Sequence, residues 1–260
     1  MKWTEDAYER AAYRAPIGRE LHRRDTRVIE RPGWYQIVTP SAVGHLNEVY
    51  ISKLAPEDAD RAIDEVVAEY SSRPNGPAVK WCVGHWTEPK DFGERLRQRG
   101  FTRTGVRAMA CSTDIRLEVP SGVTVDEVTR ETLDAYVVFE ARGWSMPDDQ
   151  HAIQRETYGA ALTASPRTAH FFAARVDGAL VGSCAIFLRE DFGYLVGGLV
   201  VPHARGRGIY RALVDARLAF LRARGISLAV THARDATSAP MLEHLGFHTV
   251  YPYECWYLNP

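Results

Sequence analysis

Twice in this chain a short helical stretch runs into a Gly-Phe pair: Arg99-Gly100-Phe101 and, 146 positions later, Leu245-Gly246-Phe247. Leu96 and Leu242 match at the same offset. Each glycine follows the last helical turn and precedes a strand-like run, the pattern of a helix stopped by a left-handed residue. Solenoid units repeat every 20–50 residues or so, and this period is far longer. It implies two structural copies of one fold, and 260 residues suit two domains of about 100–200 residues each.

The second half is the easier to read. Val123 to Val128 predicts a strand, and Thr129 caps a helix running to about Arg142. Gln150 to Leu162 predicts a second helix. Phe171–Val176 and Ala179–Leu188 flank Asp177-Gly178, a pair suited to a tight hairpin turn. Phe192 to Val201 is a third strand, and Gly197-Gly198 within it marks a bulge or a close approach of a ligand. After Pro202 a helix spans about Gly206 to Arg224, with Ile209, Leu213, Ala216 and Phe220 on one face. Ile226 to Val230 is a strand, Ser238 caps a short helix, and Phe247 to Leu258 reads as a closing hairpin bent near Pro252.

The first half repeats the later part of this plan. After a helical, arginine-rich opening come strands at Trp34–Thr39 and Leu46–Leu54, a helix at Pro56–Tyr70 and a strand at Val79–Val83. A short helix at Asp91–Arg99 and a strand at Val106–Ser112 follow. Ser112 to Gly122 is the expected linker, which divides the chain into domains at 1–115 and 116–260. The fold class is α/β (α+β), with a mixed, mostly antiparallel sheet and flanking helices in each copy.

Composition narrows the function. Lys and Arg number 32 against 33 Asp and Glu, which argues against a partner made of nucleic acid or an anionic membrane. No apolar run approaches the roughly 18 residues of a membrane span. Met1 to Asp6 carries early acids and no apolar core, unlike a signal peptide, so a cytoplasmic location is expected. Cys82, Cys111, Cys184 and Cys255 are scattered, with no zinc-ligand spacing, and predict no metal and no disulfide.

The chemistry concentrates in Arg205-Gly206-Arg207-Gly208. A glycine-rich turn between strand and helix leaves amide N–H groups and the positive end of the helix dipole open to an anion. Arg205, Arg207 and Arg211 add full charge. The chain has no G-x-x-x-x-G-K-[ST] loop, and the preceding strand closes an antiparallel hairpin rather than opening a Rossmann unit.

Leu199-Val200-Val201-Pro202-His203-Ala204-Arg205-Gly206-Arg207-Gly208-Ile209 resembles the acyl-CoA motif of the GCN5-related N-acetyltransferases. In that family the loop reads Q/R-x-x-G-x-G/A; Arg205 and Gly208 match, and Tyr210 stands where a small residue is usual. Leu245-Gly246-Phe247 matches a later hallmark. The resemblance spans Val123 to Leu258 and, in degenerate form, the first half, where Leu54-Ala55-Pro56-Glu57-Asp58 replaces the loop with two acids. It implies two tandem copies of the family fold and one site for acetyl-CoA or another acyl-CoA. That site comprises Leu199, Val200, Val201, Arg205, Gly206, Arg207, Gly208, Ile209, Tyr210 and Arg211.

By the same resemblance an amine attacks the thioester directly, so the protein deprotonates the ammonium, polarises the carbonyl and protonates the thiolate. Leu242 occupies the place where many relatives carry a tyrosine acid. Tyr194, His232 and Glu140 are the candidate catalytic groups. Trp144 lines the cleft or fills core; Trp81, Trp86 and Phe92 pack in the first core or touch substrate. The expected acceptor is the primary amine of a small molecule. A phosphopantetheine arm on an acyl carrier protein is the alternative donor, and a sensor that binds acyl-CoA without turnover is the alternative function.

Overall fold

A computed structural model describes residues 3–18, 21–41, 46–71 and 78–258. The first half runs α1 (Glu5–Arg14), β1 (Arg27–Arg31), β2 (Trp34–Val38), β3 (Glu48–Ser52), α2 (Pro56–Ser71), β4 (Val79–Val83), α3 (Phe92–Gln98) and β5 (Thr102–Ser112). The second runs β6 (Val123–Glu127), α4 (Leu133–Gly143), α5 (His151–Thr163), β7 (Ala169–Val176), β8 (Ala179–Leu188) and β9 (Gly193–Val200). It continues with α6 (Ile209–Arg222), β10 (Leu228–Arg234), α7 (Ser238–His244) and β11 (His248–Leu258). The chain forms two compact units, one of residues 24–107, 234–237 and 251–260, the other of residues 1–23, 108–233 and 238–250.

In the larger unit the strand order is β6-β7-β8-β9-β10, antiparallel up to β9 and parallel between β9 and β10. Alternation along β8 sends Cys184 and Ile186 to one face and Ala185 to the other. The first face packs on α6 and α7 through Leu195, Leu213, Leu218, Leu221, Leu242 and Phe247. The second packs on α4 and α5 through Tyr136, Val137, Ala161, Phe171 and Ala173. The segment between β5 and β6 is tied down: Arg222 donates to the carbonyls of Thr113 and Ile115, the latter at 2.8 Å, and Asp215 accepts from the Leu117 amide at 3.1 Å.

The smaller unit repeats the hairpin–helix–strand plan. β2 and β3 are antiparallel, α2 crosses over, and β4 returns parallel to β3. Its core holds Trp34, Ile63, Val66, Trp81, Phe92, Leu96 and Phe101. Trp81, Phe92 and Trp86 are all buried, so the substrate-contact reading of these aromatics gives way to packing. Trp81 Nε1 donates to Ser52 Oγ and Trp86 Nε1 to the Tyr50 carbonyl, each at 3.1 Å, which satisfies both indoles. Cys82 faces Cys255 across β4 and β11 with 3.7 Å between sulfurs.

Four local expectations are revised. The first helix of the second half starts at Leu133 rather than beside Thr129, because Thr132 Oγ1 accepts from the Thr129 amide in a separate turn. The buried face of α6 runs through Ile209, Leu213, Arg217 and Leu221, one position on from Ala216 and Phe220. The expected closing hairpin is a single strand, β11, since a proline's fixed φ suits extended backbone and Pro252 does not turn it. β1, rich in charge, gave no alternation to read.

Truncation at the centre of the smaller core tests this packing. Trp81→Ala should cost about 3–5 kcal/mol in urea unfolding, the usual range for a buried aromatic. A loss under 1 kcal/mol would contradict a packed core there.

Candidate functional site

The site is built where β9 leaves its parallel neighbour. Pairing joins Gly193 to Ala229, Tyr194 to Val230 and Leu195 to Thr231, and no pair follows. Thr231 Oγ1 donates to the Leu195 carbonyl at 2.8 Å and closes the paired stretch. On its other side β9 shifts register against β8 between Ser183 and Ala185. Gly197, at φ +65°, supplies the backbone this bulge needs, as the glycine pair in the sequence suggested.

Beyond the bulge the strand runs into the loop that leads to α6. Pro202–Ala204 form one 3-10 turn, Arg205–Gly208 follow, and α6 begins at Ile209. The first bond into the helix runs from the Ala212 amide to the Gly208 carbonyl at 3.0 Å, so the amides just before it have no helical acceptor. Gly208 has φ +74°, and a Cβ there would collide with Pro120. Conformation and space both demand glycine. Arg205, Gly206 and Arg207 are exposed, and Arg205 Nε donates to the Val200 carbonyl at 3.2 Å. The buried Nε of Arg211 has no protein partner among the described residues. Such an orphaned donor beside a helix N-terminus fits an anionic ligand.

The structure separates the three catalytic candidates into two places. Tyr194 and His232 meet edge to face, with ring centroids 5.5 Å apart. His232 Nε2 donates to the Ala12 carbonyl of α1 at 3.0 Å. Glu140 lies elsewhere, on α4, only 5% exposed. Ser183 Oγ donates to one of its oxygens and Trp144 Nε1 to the other, the latter at 3.0 Å. Ser183 in turn pairs with Leu199, and a Cβ on Gly143 would strike the Leu199 side chain, so α4 sits directly against the far end of β9. Burial raises the Glu140 carboxyl from the ordinary 4.5 to about 7, against the lowering effect of its two hydrogen bonds. Trp144 is 38% exposed beside it.

Three residues of this region carry no motif. Ser183 lies inside an apolar strand and is identified only by its cross-strand partner. Pro120 marks the linker in sequence, yet its contact with Gly208 is tertiary. Arg217 had a signal: it stands four residues after Leu213 and four before Leu221, on the apolar stripe of α6. Leu242 is buried in the core under α7 and offers no polar atom.

Among the described residues no group of three His, Cys, Asp or Glu side chains is placed to hold a metal ion, and no helix is long and apolar enough to cross a membrane.

Comparison with known proteins agrees with this geometry. Residues 130–247 match the family described as "Acetyltransferase (GNAT) family". No curated protein sequence matches the chain. Among solved structures, a GCN5-related N-acetyltransferase from Kribbella flavida superposes with a TM-score of 0.66 at 16% identity, over 95% of each chain. A functionally unknown conserved protein from Staphylococcus epidermidis gives a TM-score of 0.66 at 12% identity, over 94% of this chain and 98% of that one. A tandem GNAT protein from the clavulanic acid biosynthesis pathway gives 0.58 at 15% identity, over 94% and 86%.

The double demand on Gly208 predicts a sharp response. Gly208→Ala should destabilise the fold by about 1–3 kcal/mol in denaturant titration, from strain at positive φ and the Pro120 collision. Gly206→Ala, which meets only open space, should cost less. Equal losses at the two positions would remove the argument from Pro120.

Proposed function

We propose that the chain, whose residues 130–247 match the GNAT acetyltransferase family and whose fold matches tandem members of it, transfers an acyl group from acetyl-CoA or another acyl-CoA to the primary amine of a small molecule. The observation that carries this reading is the continuous path from the parted β9–β10 pair, past the Gly197 bulge, to the open amides and arginines at the start of α6.

In the proposed complex the pantetheine arm takes the place of a strand beside β9, bonded to peptide groups of Leu199, Val200 and Val201. The diphosphate lies on the amides of Gly206, Gly208, Ile209 and Tyr210. Arg205, Arg207 and Arg211 neutralise phosphate charge, each charge-assisted bond contributing about 1.5–3 kcal/mol. Three arginines suit free CoA, with its diphosphate and 3′-phosphate, better than the single phosphate of a carrier-protein arm.

Glu140 is the proposed general base. It lies on the side of β9 where α4 packs, and Trp144 offers an exposed indole beside it for the acceptor. A carboxylate that titrates near neutrality takes a proton from an ammonium more readily than an ordinary one does. His232 commits Nε2 to Ala12, and Tyr194 contacts His232, so neither is assigned this step. Thiol release from acetyl-CoA across a panel of small amines tests turnover; CoA binding without release on any acceptor would favour the sensor reading.

Two outcomes follow from these assignments. Glu140→Gln should lower kcat by about 10²–10⁴-fold, the usual worth of a positioned base. It should also abolish the fall in wild-type rate as pH drops through about 7. Linkage gives a second sign. The native carboxyl binds its proton more tightly than the unfolded one, so its contribution to stability is present below 4.5 and lost as pH rises through about 7. Glu140→Gln should therefore gain stability relative to wild type at alkaline pH and not at acid pH, measured by urea titration.

CoA stoichiometry by calorimetry should be one per chain. In the smaller unit the stretch of β3 corresponding to the β9 opening is already bonded to its own chain: the Glu88 amide donates to Ser52 and the Leu54 amide to Glu88, at 3.0 and 3.1 Å. The first turn of α2 carries Glu57 and Asp58. Two CoA molecules per chain would contradict this.

A further inference from the structure

Cys82 and Cys255 are free thiols directly opposite each other on the antiparallel strands β4 and β11, with 3.7 Å between their sulfurs. Opposed residues of such strands have Cα atoms about 4.5–5.5 Å apart, inside the range of about 4.4–6.8 Å that a disulfide spans. Alternation puts both thiols on the face turned away from Trp81 and Trp256, which belong to the aromatic core of the smaller unit. Around the thiols that face is charged. Lys80 Nζ pairs with Glu48 Oε1 at 2.8 Å, and the Cys82 thiol donates to the same oxygen at 3.0 Å. A cysteine serving only as a small apolar filler needs no ion pair against it. Cys111 and Cys184, by contrast, belong to the apolar cluster that packs on α6.

We propose that Cys82 and Cys255 are a modification site that closes to a reversible disulfide when the protein meets a hydroperoxide. Cys255 is the attacking thiol. A hydrogen bond from Cys82 and the Lys80 ammonium hold it below the ordinary thiol range against the effect of burial, whereas burial pushes Cys82 up. The Cys255 thiolate attacks one peroxide oxygen and the O–O bond breaks, leaving a sulfenic acid and hydroxide. The proton that Cys255 gave up on ionising returns to that hydroxide, which leaves as water. The Cys82 sulfur then attacks the sulfenic sulfur while its proton passes to Glu48. The S–O electron pair departs with the hydroxyl, which takes the proton from Glu48 and leaves as a second water. Two thiols give up two electrons, and one peroxide becomes two waters.

Burial selects the oxidant. Cys82 is 0% and Cys255 3% exposed, so a bulky disulfide has no approach to either sulfur, whereas a peroxide is little larger than water. The Glu48 and Lys80 side chains, 13% and 18% exposed, mark the side from which it enters. The titratable groups that act on the pair are Glu48 on β3, Lys80 on β4, and Tyr253 and Tyr257 on β11. The bond would tie the last strand to β4 across 173 positions of sequence. Closing so long a loop removes freedom from the unfolded chain, so the oxidised protein is the more stable one.

The test titrates hydrogen peroxide against the reduced chain and counts free thiols in denaturant with a chromogenic thiol reagent. The count should fall from four to two, and peptide mapping by mass spectrometry should find Cys82 joined to Cys255. Dithiothreitol should restore all four, and the oxidised chain should unfold at higher urea than the reduced one. Cys82→Ser should stop at a sulfenic acid on Cys255 that dimedone labels, and Glu48→Gln should raise the labelled fraction. Cys111→Ser and Cys184→Ser should leave the loss of two thiols intact. The proposal is overturned if four thiols survive a peroxide concentration that fully oxidises free glutathione. It is overturned equally if the lost thiols map to Cys111 or Cys184, or if the bond joins two chains. The map of the wild-type chain decides even where a serine variant fails to fold.

Discussion

Three residues of parallel pairing tie β9 to β10, and past Leu195 and Thr231 the two strands separate. A strand edge inside a sheet is expensive to leave open, because its peptide groups need partners. β9 meets the cost partly from within. β8 pairs it along the other side as far as Val200, Thr231 caps the end of the paired stretch, and Arg217 reaches up to Val196. The rest of the opening faces outward and leads to the N-terminus of α6. Bulge, loop and helix therefore follow in sequence from one departure from pairing.

The smaller unit treats the corresponding opening differently. β3 pairs with β4 at only Glu48 with Lys80 and Val49 with Trp81, so the strands part just as early. There, however, the chain between β4 and α3 folds back: Lys53 bridges to Glu88, and Trp86 bonds Tyr50. The groove holds its own polypeptide. Acids at the start of α2 suit its helix dipole, where α6 has arginines beside its first turn. The larger unit leaves the corresponding stretch of β9 without a second strand, and the difference lies in a few residues between a strand and a helix.

Legibility followed range. The repeat, the hairpin at Asp177-Gly178, the bulge at Gly197-Gly198 and the loop at Gly208 were readable because turn chemistry is local. The Ser183–Glu140 bond, the Pro120 contact and the link from His232 to α1 were not, because each joins segments far apart in the chain. Glu140 was nameable as a candidate, but its burial, and with it the carboxyl's rise to about 7, depended on how α4 packs against β8. β11 misread for a related reason: a proline in an apolar run signals a bend locally, yet His248–Leu258 form one strand through Pro252.

Arg217 illustrates the inference that combines both scales. On a helical wheel it is an error in an apolar stripe, and such errors mark places where function overrides packing. Its tertiary neighbours then give the error a purpose, since the guanidinium donates to the Leu213 and Val196 carbonyls and so ties α6 to β9 just before the bulge. A leucine or methionine at 217 would pack in that stripe but could bond neither carbonyl, so β9 would lose its brace at the place where it leaves β10.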